Sequence, residues 1–347
     1  MKSKIKRILG KTSIPVLSIL IAVIVGSIIT LACGYSPLAA YTSLLKGAFG
    51  SANSALGTLE KCVPLIFCGL AAMVSFKSGM FNIGLEGQAV VGAITYILTG
   101  LHLQFLPLPL HVLVCGALAM LAGGLWAGIA GAMKVYFGAN EVVSTIMLNY
   151  IALYLEEYLF SGPFMDEGTI PQSEALHADK MIPGIAGSTK ITWAFVIACA
   201  AVILIAVFYK YTVSGYNMIA AGDNYRAAEA GGIRMNKVRL LSMGMSGAIA
   251  GLAGGMLVAA TYGRDVIGMS SGYGFDGMAI AVLGQNSAIG VFLSSILFGG
   301  LRTGSLSMSM FEGVPSELVS ILQGLIILTV SAPLLIKSLK WKRRSEG

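Results

Sequence analysis

The sequence predicts an all-α, polytopic membrane protein of about ten transmembrane helices, on three observations. Of its 347 residues 56% are hydrophobic and only 11% charged, where a soluble domain carries about 25% charge; the mean hydropathy is +0.81. The apolar residues run continuously over lengths near the roughly twenty residues that cross the hydrocarbon, rather than alternating as in a transmembrane barrel. Forty-four glycines and seventeen methionines suit helices that pack closely in a membrane.

The chain opens on a basic flank, MKSKIKRILGKTS, and the apolar run 14–33. That run is longer than a signal-peptide core and has no small-x-small cleavage site, so it reads as an uncleaved first span. The following spans are 61–77, 82–100, 110–133, 141–160, 191–209, 239–261, 273–287, 288–305 and 317–337. The two spans across 273–305 are short and are separated only by Gly284-Gln285-Asn286-Ser287. Cys33, Cys62, Cys68, Cys115 and Cys199 lie in or beside apolar stretches with no CxxC pair, and read as small core residues.

Ten spans put both termini on one side, and charge says which. Seventeen of the 23 basic residues fall on that side, among them Lys2, Lys4, Lys6, Lys77, Lys134, Lys210, Arg226, Arg234, Lys237, Arg239 and Lys337. The other side holds Lys46, Lys61, Lys180, Lys190, Arg264 and Arg302. The positive-inside bias places both termini in the cytoplasm. The expected organisation is one transmembrane domain over 1–347, with a cytoplasmic tail 1–13, a cytoplasmic loop 210–238 and a second tail 338–347. The longest loop, about thirty residues, is too short for a soluble core, so a protein of this kind that uses ATP needs another chain to bind it. Spans 2–5 and 7–10 match in number and run in opposite orientation. Gly69-Leu70-Ala71-Ala72 is echoed by Gly251-Leu252-Ala253-Gly254, as in an inverted repeat.

Enzyme chemistry finds little to stand on. Gly10-Lys11-Thr12 lacks the earlier glycine of a phosphate loop, since Ile5 stands there. Gly244-Met245-Ser246-Gly247 resembles a nucleophile motif, but His102, His111 and His177 fall toward the opposite surface, leaving no base for it. A helix-packing role fits it better. There is no HExxH and no Cys/His cluster. The net charge of +7 resides at span ends and points to orientation, not nucleic acid.

Polar residues at membrane depth are more informative, because they are costly there. Asn82, Glu86 and Gln88 lie among glycines between spans 2 and 3. Glu141, Ser144, Thr145 and Asn149 make one stripe along span 5. Phe275, Asp276, Gln285 and Asn286 belong to the broken 273–305 region. These groups read either as a solute path with its hinges or as interhelical hydrogen bonds that fix packing. Glu86 suits a structural part better than contact with an anionic solute.

The other polar interruption is Ala221 to Leu240. Asp223 is an expected N-cap, Tyr225 to Ala230 a short helix of good formers, and Gly231 and Gly232 a left-handed stop. Arg234, Lys237 and Arg239 follow.

FNIGLEGQAVVGA at 81–93, NEVVSTIMLNYIA at 140–152, the stretch 220–255 and GFDGMAIAVLGQNSAIG at 274–290 together resemble the ABC-transporter permease family for simple sugars and nucleosides, its bacterial nucleoside branch above all. The resemblance runs from about residue 14 to 337. It implies a membrane dimer, often of two different permease chains, above a cytoplasmic ATPase that binds ATP and Mg, so that no cofactor belongs to this chain. It also implies a solute-binding lipoprotein or periplasmic protein that delivers nucleosides or ribose-type sugars. The family's coupling segment falls on Gly222, Asp223, Asn224, Arg226, Ala227, Ala228, Glu229, Gly231 and Gly232, with Ala227, Ala228 and Gly232 at its small-residue positions. A bulky charged residue at Ala228 is expected to abolish uptake. The alternative is an ion-coupled transporter in which Glu86, Glu141 and Asp276 carry protons.

Overall fold

The computed structural model describes residues 20–185, 190–315, 317–321 and 323–325. The two tails, 1–13 and 338–347, and most of the span expected at 317–337 lie outside these residues. The helices are α1 (Leu20–Ala32), α2 (Pro37–Phe49), α3 (Ala52–Lys77), α4 (Leu85–His102), α5 (Leu108–Phe137), α6 (Glu141–Phe160), α7 (Trp193–Tyr211), α8 (Val213–Asp223), α9 (Tyr225–Ala230), α10 (Met235–Leu257), α11 (Tyr273–Leu283) and α12 (Ala288–Glu312). A five-residue π-turn, Val258–Tyr262, prolongs α10. By length and composition, α3, α5, α7, α10 with its π-turn, and α12 are long and apolar enough to cross a membrane.

Each expected span within the described residues has a helix, but α11 is short. Its eleven residues measure about 16 Å, half the thickness of the hydrocarbon. The break at Gly284–Ser287 is a tight turn in which Gln285 and Asn286 both adopt positive φ, 52° and 50°. Inside the expected cytoplasmic loop 210–238 the chain forms a helix that composition did not announce, α8. Its N-cap is Thr212, which accepts from the Gly215 amide at 3.0 Å.

Contacts divide the chain into residues 1–58 with 297–347, and residues 59–296. In the first unit Ala40 and Leu44 of α2 pack with Met308, Val314 and Val319. Ser43 donates to Glu312 at 2.6 Å, and Gly304 lies directly on the Leu44 backbone.

The second unit is built around α10, which packs against α4 and α5. The seams are made of glycine. Gly92 of α4 lies on the Gly251 backbone, Gly254 on the Ala89 carbonyl, and Gly123 of α5 on the Gly247 carbonyl. Helices without intervening side chains bring their backbones into van der Waals contact, the usual membrane substitute for a hydrophobic driving force. The Gly244–Gly247 motif is part of this packing: Ser246 donates to the Ala71 carbonyl of α3 at 2.7 Å. All five cysteines are free.

The seam makes a sharp contrast between glycines. Gly254→Ala drives a methyl into the Ala89 carbonyl and is expected to cost about 2 kcal/mol or more. Gly128→Ala, with open space around it, is expected to stabilise by about 0.5–1 kcal/mol through helix propensity. Thermal unfolding of the purified protein in detergent should move in opposite directions for the two variants.

Candidate functional site

Two constellations concentrate the polar chemistry of the second unit. The first is the α8–α9 segment. Asn224 closes α8 and opens α9 from extended backbone (φ −154°, ψ 100°), and its side chain accepts from the Ala227 amide at 3.1 Å. Asn224, not Asp223, is therefore the N-cap; Asp223 is the last residue of α8. One position before the cap, Asp223 leaves the first-turn amide of α9 to Asn224.

The far end of α9 closes as a Schellman motif. The Gly232 amide donates to Glu229 and the Ile233 amide to Ala228, both at 3.0 Å. Gly232 alone is left-handed, at φ +85°, whereas Gly231 has φ −76°. Arg239 of α10 covers the Tyr225 ring at 4.9 Å, which pins α9 to α10. The other side of the segment is anchored through Gly222, whose Cα lies against the Lys77 carbonyl and Gly79 in the α3–α4 connection. Lys77 itself covers the Tyr209 ring of α7 at 4.3 Å. Between α8 and the start of α10 lies a cleft of about 470 Å³ bordered by Ser214, Asn217, Arg234 and Lys237.

The second constellation begins where α4 starts. Asn82, fully buried, donates to Gln88 and to Ser246, both at 2.9 Å. Its oxygen accepts from the Gly84 amide and from Gln88. The Asn82–Gln88 pair thus folds the chain into the first turn of α4. Because Ser246 is eleven residues into α10, α4 begins about 16 Å above the start of α10. From α6, Thr145 accepts from the Ile83 amide at 3.3 Å. Asn149 accepts from the Gly87 amide at 2.8 Å and donates to the Ile83 carbonyl at 2.9 Å.

Glu86 completes this arrangement. Its two carboxylate oxygens accept from the Gly272 and Gly274 amides, at 2.6 and 2.7 Å, at the N-terminus of α11. Only 5% of the residue is exposed. The N-termini of α4 and α11 therefore meet inside the protein across one carboxylate. Helix N-termini carry unpaired amides and a partial positive charge, so the buried carboxyl's acceptor oxygens are matched. A side chain at Gly274 would collide with Glu86.

The chain matches the family described as branched-chain amino acid transport system / permease component over residues 54–331. The chain belongs to this permease family. It is 35% identical to a guanosine ABC transporter permease protein of Bacillus subtilis over 342 residues, which cover 96% of this chain and 97% of the relative. It is 32% identical to a nucleoside ABC transporter permease protein of Lactococcus lactis subsp. cremoris over 338 residues, 94% and 92% of the two chains. A glucose ABC transporter permease protein of Haloferax volcanii is 33% identical over 328 residues, 90% and 85% of the two chains. The protein is thus a multi-pass membrane permease.

The permease's geometry sorts the residues singled out from sequence. Asn82, Gln88, Thr145, Asn149 and Glu86 come together in one hydrogen-bonded cluster. Glu141 does not join them: it pairs with Lys134 of α5 at 2.7 Å. Phe275 and Asp276 lie on α11, with Phe275 53% exposed and Asp276 part-exposed. In the α9 segment Gly222, Asp223, Asn224, Arg226, Ala227, Glu229, Gly231 and Gly232 are exposed, but Ala228 is buried at 6%. Ala228 therefore packs into its own chain, and Ala227 is the small residue presented outward. Sequence reasoning passed over Glu156 and Asp265, both fully enclosed. Glu156, an acid beside Glu157 within the apolar span expected at 141–160, was the available signal.

Replacing Glu86 tests the junction. Glu86→Gln keeps the shape but turns an amide donor toward one of the two glycine amides. It is expected to lower stability by about 2–3 kcal/mol, read as a reduced thermal midpoint.

Proposed function

We propose that this chain is the membrane permease subunit of an ATP-driven importer of nucleosides, with a separate cytoplasmic ATPase, a second permease chain and an extracytoplasmic solute-binding protein as partners. The observation that carries this reading is near-full-length similarity, at 35% and 32% identity, to permeases named for guanosine and nucleoside transport. The relative named for glucose keeps a ribose-type sugar as the second reading. Charge sorting supports a topology with both termini and the α8–α9 segment in the cytoplasm. The α3–α4 and α10–α11 pairs, each a long helix leading through an irregular segment into a shorter one, support an inverted repeat.

In this reading α9 is the coupling helix. Its exposed face, with Ala227, Arg226 and Glu229, meets the ATPase. Its caps and the Arg239–Tyr225 contact keep it rigid enough to transmit a displacement. Gly222 passes that displacement to Lys77 and Gly79. The 80–84 segment leads from there to the Asn82–Gln88 pair and, through Glu86, to α11. ATP-driven closure of the partner then biases two packings of these segments, which is all that alternating access requires. Asn82, Gln88, Thr145, Asn149 and Glu86 act as the hinge. Glu141 braces α5 against α6, and Phe275, exposed on α11, and the part-exposed Asp276 are the residues of α11 assigned to the solute path. An aromatic face beside a carboxylate suits a base stacked next to ribose hydroxyls.

Two measurements test the reading. Ala227→Arg is expected to reduce ATP-dependent uptake by at least about tenfold while the permease remains in the membrane at normal level; undiminished uptake would remove α9 from the interface. Competition of labelled guanosine uptake by unlabelled nucleosides and pentoses should show nucleosides displacing the label and pentoses failing. Displacement by pentoses alone would favour the sugar reading.

A further inference from the structure

The cleft between α8 and α10 has a chemistry that the coupling helix does not use. Its volume, about 470 Å³, falls within the roughly 300–1,000 Å³ of small-molecule sites. The buried Met218 and Val238 contribute apolar wall. Ser214 and Asn217 border it from α8, and Arg234 and Lys237 border it from the start of α10.

The charge of the cleft is one-sided. No acidic residue borders it, and among the described residues neither Arg234 nor Lys237 forms an ion pair. Glu229 of α9 accepts from the Tyr225 hydroxyl at 3.5 Å. The neighbouring cations are occupied: Arg239 covers the Tyr225 ring and Lys210 the Tyr211 ring, both at 4.9 Å. A solvated basic face, the ordinary result of the positive-inside bias, scatters its cations. Here two of them share one concavity with a hydroxyl and a carboxamide. Arginine and lysine side chains only donate, so the complement is an anion rich in acceptor oxygens, and a phosphate meets both.

The surroundings place the cleft at the edge of the hydrocarbon. The helix that starts there, Met235–Tyr262 with its π-turn, is long and apolar enough to cross a membrane. Leu241 also borders the cleft and is 45% exposed, about 10 Å along α10 from Arg234. Val213 and Tyr216 of α8 stand out at 76% and 67% exposure, and tyrosine is enriched where head groups meet acyl chains. A ligand with its phosphate in the cleft therefore has an apolar wall leading into the membrane, which suits an amphiphile better than a free nucleotide.

We propose that this cleft binds the phosphate head group of an anionic phospholipid. Arg234 and Lys237 hold the phosphate, Ser214 and Asn217 bond the polar part of the head group, and an acyl chain runs along Leu241. Basic clefts between membrane helices at this level hold such lipids. The assignment rests on the proposed topology only for its side, the cytoplasmic leaflet. Gly231 and Gly232, which close α9, border the same cleft, so the lipid buttresses the end of the coupling helix between α8 and α10.

Photocrosslinking of the assembled transporter tests the site, in nanodiscs of phosphatidylcholine and phosphatidylglycerol with a trace of phosphatidylglycerol carrying a photoreactive group beside the phosphate. Peptides from 213–241 are expected to take the label. Arg234→Gln and Lys237→Gln should each lower it about fivefold, the worth of one basic residue at an anionic surface, and added salt should lower it as well. Both side chains are exposed, and Arg234 caps α10 without a side-chain bond, so the fold should survive either change. Lys340→Gln with Lys342→Gln, equal in charge but in the tail, should leave the label on 213–241 unchanged. Equal labelling by a phosphatidylcholine probe overturns the proposal, as does a label that survives the double change at Arg234 and Lys237. Displacement by soluble glycerol phosphate or ATP as effective as by lipid overturns the lipid in favour of a free phosphate. A label present on the permease chains alone but lost in the assembled transporter overturns it in favour of a protein contact. Uptake does not enter this readout, so failure here leaves the importer reading to its own two tests.

Discussion

A single buried carboxylate organises the middle of this permease. Glu86 brings a carboxyl group into a place almost without solvent, where unpaired polar atoms would cost several kcal/mol. The match is made by two amides at the start of α11 and by the partial charge of that helix terminus. Neither short helix could end where it does otherwise. The first turn of α4 leaves its own amides to Asn149 and Asn82, and α11 leaves its amides to Glu86. The irregular segments leading into both helices depend on this junction, because non-helical backbone is tolerated at membrane depth only when protein groups satisfy it. The glycines of the 263–272 segment serve the same end, turning the chain inward through left-handed conformations that other residues adopt only with strain.

The cytoplasmic helix α9 is organised on different terms. Six residues are too few to form a stable helix alone, so its shape is held from both ends. The Asn224 side chain fixes the start, the Gly232 turn fixes the end, and aromatic stacking by Arg239 fixes its orientation. One residue, Gly222, ties it to the connection between α3 and α4. A segment built this way has a defined surface before any partner arrives, which lowers the ordering cost of association.

Much of this was legible in the sequence, for reasons that can be named. The long helices announce themselves through apolar runs, and α6 begins and ends at the predicted 141 and 160. The limits of α9 follow from helix formers stopped by paired glycines. The polar stripe of α6 was visible, since Thr145 and Asn149 recur at helical spacing, but its destination was not. Whether Asn149 faces a cavity or the Gly87 amide depends on how α4 is placed, and spacing within α6 holds no information about that. Glu141 shows the same limit, because its partner Lys134 is close in sequence yet on another helix. The swap between Asp223 and Asn224 is finer still: both are good caps, and a one-residue extension of α8 decides between them. Ala228 faces inward because a six-residue helix has one buried face, whose phase composition alone does not set. Glu156 and Asp265, 109 positions apart, are each enclosed only by the tertiary fold.

The glycine seams of α10 have a kinematic consequence. Gears turn past one another when teeth can disengage, but α4, α5 and α10 touch through backbone at Gly92, Gly254 and Gly123. At those points no side chain lies between the helices to change rotamer and absorb a rotation. Turning α10 about its axis would drive Cβ atoms of its neighbouring residues into main-chain carbonyls, which cannot yield. The three helices are thereby reduced to one moving body with the freedom of a single rod. Whatever reshaping accompanies solute passage is displaced onto the parts with compliant joints: the 80–84 segment before α4, the π-turn at Val258–Tyr262, the left-handed glycines that follow it, and the turn at Gln285 and Asn286.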